Sequence, residues 1–319
     1  LQAMQQNNYT AVYEFLILGF NRLHGFRIIL FLLFLLIYIV ICLENLLIIV
    51  LVTISARLQT PMYFILKCMS VCELCFATSV VPKMLHDILA ERATISVMGC
   101  IIQLNIWGTM GMLIYLLYAL MSYDRYLAIS NPLRYSVLID NKLCLRLVIG
   151  FCIIFFLVAV LISVLLSRLE FCNRIIPVID HFYCDFAPLM ALSCSDTKLV
   201  QGVAALSSGI IMLLSLVFIL FSYVFIIFKI LAIPSATGRK KSFSTCSSHL
   251  FVVIINYGIL INVYVSPDTI NSPQINKGLS FMYILVTPLV NPIIYTLKNH
   301  EFNIALQAKA REIKMHFFL

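Results

Sequence analysis

What this chain can fold into is decided by a succession of apolar windows. They run over residues 28–54, 62–81, 93–123, 147–167, 199–228, 242–267 and 278–297. A membrane helix needs about 20 mostly apolar residues, so seven helices are expected. The windows lack the ten-residue alternation of an outer-membrane barrel strand. Composition argues the same way: 62% of the 319 residues are hydrophobic and 11% charged, against about 45–50% and about 25% in a soluble domain. A water-soluble globule of this kind would expose large apolar patches, and the same figures exclude intrinsic disorder. The expected fold is an all-α membrane protein, a seven-transmembrane helix bundle with a short amphipathic eighth helix. Its expected segments are an outer N-terminal stretch (1–26), the bundle (27–297), and the eighth helix with a tail (298–319).

Basic residues in the loops set the orientation. With the N-terminus outside, thirteen Lys and Arg fall on inner segments and eight on outer ones, and the inner side holds four acids against eight outside. The net charge of +8 is therefore a cytoplasmic face that attracts anionic lipid, and no nucleic-acid surface is expected. Asn8-Tyr9-Thr10 is an N-glycosylation sequon on the outer side. Of 11 cysteines, Cys100, Cys172, Cys184 and Cys194 fall on outer segments, where disulfides persist. Four cysteines allow three pairings. No cleaved leader is expected, since the first span can serve as its own insertion signal.

Asp124-Arg125-Tyr126 ends the third span and Asn291-Pro292-Ile293-Ile294-Tyr295 closes the seventh. An Arg at the inner end is the first group a cytoplasmic partner reaches, and an adjacent Asp can hold it back. Pro292 breaks a helical hydrogen bond, and Asn291 offers polar partners in a dry interior. These motifs resemble those of class A G-protein-coupled receptors. Further segments narrow the resemblance: Leu58 to Phe64 (LQTPMYF), Met121 to Ile129 (MSYDRYLAI), Ser222-Tyr223, Lys241 to Leu250 (KSFSTCSSHL), and Thr287-Pro288-Leu289-Val290. Together, over about Phe15 to Glu301, the chain is similar to vertebrate odorant receptors.

The resemblance implies a small-molecule odorant in the outer half of the bundle and a heterotrimeric G protein of the stimulatory, olfactory type at the inner end, raising cyclic AMP from a multi-pass protein of the plasma membrane. It implies that Arg125 faces the G protein with Asp124 as its restraint, and that Tyr223 and Tyr295 rearrange toward it. The basic triplet Arg239, Lys240 and Lys241 would lie near the partner or serve as a generic inner flank. The resemblance also implies pairing of Cys100 with Cys184 and of Cys172 with Cys194, pinning a long outer loop over the pocket.

Helical spacing outward from Arg125 runs through Tyr118, Ile114, Gly111 and Trp107. The last two lie about 21–27 Å from Arg125 at about 1.5 Å per residue. Gly108 and Gly111 remove volume beside Trp107, the single Trp, either shaping a cavity or allowing close helix packing. Met112 shares that face. Tyr257, Leu260, Ile261 and Tyr264 come from the sixth span, Ser207, Ser208 and Ile211 from the fifth, Phe281 from the seventh, and Phe186 follows the loop cysteine. The third-span wall has no acid to pair an amine and no obvious base for a carboxylate. A neutral, largely apolar ligand held by shape and one or two hydroxyl contacts is expected, with Asp268 as a possible cation trap at the mouth.

Two acids depart from the pattern. Glu73 sits at mid-membrane depth, where ionisable groups are functional by default. Relatives often face it with a third-helix acid sharing a sodium ion, but here that position is Ile114, so a sodium site is doubtful and Glu73 is expected to carry its proton. Glu44 is expected to be neutral or hydrogen-bonded within the bundle. Cys152 stands where relatives often have Trp. No zinc helix, nucleotide loop or serine elbow points to an enzyme, and no cofactor is expected. Leu285 occupies the position of the retinal lysine of opsins, which excludes a Schiff base. A transporter fits poorly without an internal repeat. A chemosensor for a non-odorant metabolite outside the nose is the nearest alternative.

Overall fold

The computed structural model describes residues 12–19, 25–90, 92–171, 176–264, 273–297 and 299–317. In chain order these form β1 (Glu14–Ile17), α1 (Arg27–Ile54), α2 (Pro61–Leu89), β2 (Thr94–Ser96), α3 (Val97–Ser130), α4 (Tyr135–Leu138), α5 (Asn141–Leu166), β3 (Val178–Ile179), α6 (Phe186–Ala191), α7 (Lys198–Leu231), α8 (Ala236–Tyr264), α9 (Pro273–Leu297) and α10 (His300–Phe317). Six helices, α1, α2, α3, α5, α7 and α9, are long and apolar enough to cross a membrane, and α8 adds the apolar stretch Cys246–Asn262. The seven windows thus become seven bundle helices among the described residues. The polar start of α8 (Ala236–Thr245) is helical as well, so that helix extends beyond its apolar part.

Helices are the solution because lipid offers no partners to backbone N–H and C=O groups. Their ends are set by local chemistry. Pro61 opens α2 at a position where the missing N–H costs nothing. Ser96 caps α3 by accepting from Gly99 N at 3.0 Å, and Asp140 caps α5 by accepting from Leu143 N at 2.7 Å. The third window, expected from Ala93, is therefore split: Thr94–Ser96 pair as β2 and the helix begins after the cap. The second window ends at Val81 in hydropathy, yet α2 runs through Pro82 to Leu89. Gln103 of α3 donates to the carbonyl of Ser79 at 3.0 Å, one residue along from the Thr78 carbonyl that Pro82 cannot pair.

Burial separates the helices into two kinds. About half of the apolar windows of α2, α3 and α9 is buried, against 28% of α1, 11% of α5 and 28% of α7. The first three form the centre, and the others present Leu, Ile and Phe to the lipid. The end carrying the disulfide is termed outer and the Arg125 end inner. At the outer end, β1 pairs antiparallel with β2 and parallel with β3, giving the strand order β2-β1-β3. Phe15 is fully buried there in a second apolar cluster with Ile95, Cys100, Leu166 and Cys184. At the inner end, Arg57 pairs with Glu301 at 2.7 Å and Tyr63 donates to Asn299 at 2.7 Å, fastening the start of α10 to the α1–α2 connection. The eighth helix is longer than expected, at 18 residues.

Candidate functional site: an aromatic cradle and the polar core beneath it

The outer half of the bundle holds a cluster of rings. Trp107 of α3 stacks on Phe76 of α2 at 5.9 Å and lies 5.7 Å from Tyr183 of the outer loop and 6.4 Å from Tyr283 of α9. Phe76 meets Tyr283 edge-on at 5.4 Å. A side chain at Gly111 would touch Phe76 and Tyr283, each at 3.7 Å, whereas one at Gly108 would meet nothing within 4 Å. Gly111 thus lets the rings approach α3, and Gly108 leaves open space on the same helix. The Trp107 indole nitrogen is buried without a hydrogen-bond partner.

Below the rings, tyrosines carry the contact inward. Tyr115 donates to the Tyr283 hydroxyl at 3.2 Å and packs against Tyr257 of α8 at 4.9 Å. Tyr257 shares a hydrogen bond of 2.7 Å with Ser215 of α7. At mid-depth Asn291 is the hub. Its amide donates to Glu73 at 2.5 Å and to Tyr118 at 2.7 Å, and its oxygen accepts from Asn256 at 3.4 Å. Thr287 donates to Asn256 at 2.7 Å. The second Glu73 oxygen is buried without a hydrogen-bond partner, and so is one oxygen of Glu44. Ile114 is buried in the apolar core. Among the described residues no group of His, Cys, Asp or Glu side chains is arranged to hold a metal ion.

At the inner end Tyr223 of α7 donates to the carbonyl of Cys246 at 3.1 Å and lies 2.7 Å from His249 of α8. His249 lies against Tyr295 with ring centres 6.4 Å apart, and the Tyr295 hydroxyl has no hydrogen-bond partner. Arg125 pairs with Asp124 at 3.4 Å, and Tyr135 of α4 donates to the other Asp124 oxygen at 2.5 Å. Burial first, and the Asp124 carboxylate second, push the Tyr135 phenol upward, so it keeps its proton and remains a donor. Arg239 donates to the Ile233 carbonyl at 3.2 Å and Lys240 is exposed. The Lys241 side chain lies outside the described residues.

The outer loop is bound down over the cradle. Cys100 and Cys184 form a disulfide, and Gln103 accepts from Cys184 N at 3.0 Å while donating to α2. Cys194 is disulfide-bonded. Its expected partner Cys172 lies outside the described residues, as do Asn8 and Asp268. His181 and Asp185 flank this anchor, both buried and 4.0 Å apart. Burial, with the charge of Lys277, lowers His181 to about 4, and burial raises Asp185 to about 6. Lys277 forms an ion pair with Asp180.

Comparison with known proteins bears on the arrangement as a whole. A family model described as olfactory receptor matches residues 34–310. Olfactory receptor 5G9 of Mus musculus is 41% identical over 98% of this chain and 99% of its own length. Olfactory receptors 6Y1 and 6N1 of Homo sapiens are 39% and 41% identical, over 95% and 97% of this chain and 93% and 99% of their own lengths. The chain belongs to the olfactory receptor family. It is therefore a multi-pass receptor of the G-protein-coupled class, a family whose partners are an odorant and a G protein, and not a member of an enzyme family.

Within this olfactory receptor the expected pocket residues divide. Gly108, Gly111, Met112, Ser207, Ser208, Ile211, Tyr257 and Leu260 are buried or half-buried toward the bundle. Both serines turn their hydroxyls back onto the Ala204 carbonyl, at 3.1 and 2.7 Å. Phe186 opens α6 and packs into the outer cluster with Cys184. Two residues stand apart from the ring cluster. Ile261 is 42% exposed and shares a face with Ile254, 60% exposed. Seven residues are nearly two helical turns, and this face looks to the lipid. Phe281 packs on Phe34 of α1 at 4.8 Å and Phe182 at 5.7 Å, one ring position away from the cluster that Tyr283 joins. The Tyr264 side chain lies outside the described residues. Phe76, Gln103, Tyr115, Tyr183 and Tyr283 were not expected. Tyr283 was accessible by stepping four residues at a time from Asn291 through Thr287.

Proposed function

We propose that this olfactory receptor binds a small, neutral, largely apolar volatile beside Trp107, with its N-terminus outside, and activates a stimulatory G protein of the olfactory type to raise cyclic AMP. The observation that supports the ligand class most is the buried, unpartnered indole N–H set among Phe76, Tyr183 and Tyr283. An N–H surrounded by rings favours an uncharged oxygen acceptor on an otherwise apolar body. None of the residues in that cluster carries a charge, so a charged ligand would lose its hydration without a counter-ion.

The signalling step follows the chain of contacts. Ligand pressure on Trp107 and Tyr283 acts on Tyr115, and through it on Tyr257 and the α7–α8 hydrogen bond at Ser215. A ligand biases the receptor only by its differential affinity for two states. The state with α8 displaced at its inner end frees Tyr223 and Tyr295 from His249 to meet Arg125, which leaves Asp124 for the G protein. The exposed Leu133 and Val137 flank that surface. Glu73 and Asn291 act as a fixed polar core without a sodium ion. Cyclic-AMP measurements on a panel of neutral and charged volatiles test this reading.

A further inference from the structure

Two protons in the ring cluster have no acceptor among the described residues. The first is the Trp107 indole N–H, buried without a hydrogen-bond partner. The second is the hydroxyl proton of Tyr283, a residue 4% exposed. The Tyr283 oxygen is engaged, because Tyr115 donates to it at 3.2 Å. Tyr283 is the acceptor in that bond, so its own proton remains to be given. A hydroxyl carries one donor and two acceptor lone pairs, whereas an indole is a donor only. A buried donor without an acceptor loses its hydration uncompensated.

The two donors flank one stretch of α3. The indole and the Tyr283 ring meet edge to face with centres 6.4 Å apart. A Cβ at Gly111 would lie 3.7 Å from the Tyr283 hydroxyl oxygen, so that hydroxyl rests where Gly111 bares the helix. Gly111 lies one turn inward of Trp107, about 6 Å along the axis. Trp107 itself is only half-buried. The oxygens that the cluster offers in return are phenolic, those of Tyr115, Tyr183 and Tyr283. A phenol oxygen accepts poorly, since one lone pair is drawn into its ring.

We propose that Tyr283 is a specificity-determining donor, and that the ligand is a carbonyl compound, a ketone or ester, whose oxygen accepts from Trp107 and Tyr283 together. The inference rests on the reading that a neutral ligand lies beside Trp107. A carbonyl oxygen has two lone pairs and no hydrogen of its own, so it satisfies both donors and leaves nothing unpaired. An alcohol can accept as well, but it brings a further proton into a cluster that already has two too many. A hydrocarbon satisfies neither donor.

The test is a cyclic-AMP dose-response comparison in cells expressing the full-length receptor. The probes are matched triples: a straight-chain methyl ketone, its secondary alcohol, and the terminal alkene in which a methylene group replaces the carbonyl oxygen. The ketone should exceed the alkene in potency about a hundredfold, two hydrogen bonds at about tenfold each, and the alcohol about tenfold. Tyr283→Phe should weaken the ketone about tenfold and leave the alkene unchanged. Trp107→Phe combined with Tyr283→Phe should erase the ketone's advantage over the alkene. Where Tyr283→Phe fails to reach the surface, Trp107→Phe alone decides. An advantage of about tenfold left to the ketone in that variant reports the second donor, and its absence overturns the proposal. Alcohols as potent as ketones, or equal losses for ketone and alkene in Tyr283→Phe, overturn it while a neutral ligand beside Trp107 still stands. A preference for amines or acids, or silence toward every neutral probe, overturns that underlying reading as well.

Discussion

Asn45 of α1 donates a hydrogen bond of 3.2 Å to the main-chain oxygen of Pro288 in α9. That oxygen lies four residues before Pro292, which has no N–H to give it. A fully buried side chain on one helix thus satisfies a carbonyl left open by a proline on another. Asn45→Ala would leave the carbonyl unpaired, at a cost of about 1–3 kcal/mol. The expected result is a lower thermal midpoint for the purified receptor and lower surface expression. An unchanged midpoint would mean that water or another donor serves Pro288 equally well.

Trp107→Phe keeps the ring stack and removes only the N–H. For ligands bearing a carbonyl or hydroxyl, potency should fall about tenfold, the equivalent of one hydrogen bond of about 1.4 kcal/mol. Hydrocarbons of the same shape should be unaffected. Dose-response curves for matched pairs of volatiles separate these outcomes. An equal loss for both members of a pair would assign Trp107 a packing role alone.

Asp124 is held on one oxygen by Arg125 and on the other by Tyr135. Tyr135→Phe should raise ligand-free cyclic AMP modestly, since it removes the neutral contact. Asp124→Asn should raise it further, because it removes the ion pair that restrains Arg125. Basal activity normalised to surface expression gives the ranking, and the reverse order would contradict the assignment.

The buried pair in the outer loop makes a prediction about pH. Asp185, raised to about 6, takes up its proton in the folded state first, so by itself it makes the fold more stable as pH falls from about 6 to 4. His181, lowered to about 4, stays neutral in the fold while the unfolded chain is protonated below about 6.5, so by itself it makes the fold less stable over the same range. Both states then carry one proton on the pair, and the two slopes cancel. Asp185→Asn should uncover a loss of stability on acidification, and His181→Phe a gain, each up to about 3 kcal/mol. Thermal midpoints at pH 7 and 4.5 measure both. Parallel behaviour of the two variants would rule out the compensation.

How far these features were legible in the sequence depended on range. Apolar runs gave the seven spans, since lipid accepts no other backbone solution, and Asn291, Tyr295 and Arg125 were legible because their motifs are contiguous. The β-sheet was not, because Glu14–Ile17 is only four residues and its partners, Thr94–Ser96 and Val178–Ile179, lie far along the chain. Ile261 and Leu260 were read on one face, but a helical step of about 100° separates exposed Ile261 from buried Leu260. Gln103 was missed because its value lies in two main-chain partners, Ser79 and Cys184, that no side-chain pattern reports.

The most direct test of the central claim is a cyclic-AMP dose-response panel in cells expressing the receptor, comparing neutral alcohols, ketones and esters with amines and carboxylic acids of matched size. Saturable responses to neutral members only are expected, dependent on a stimulatory G protein and weakened by Trp107→Phe. Stronger responses to amines or acids, or responses that survive removal of that G protein, would contradict it.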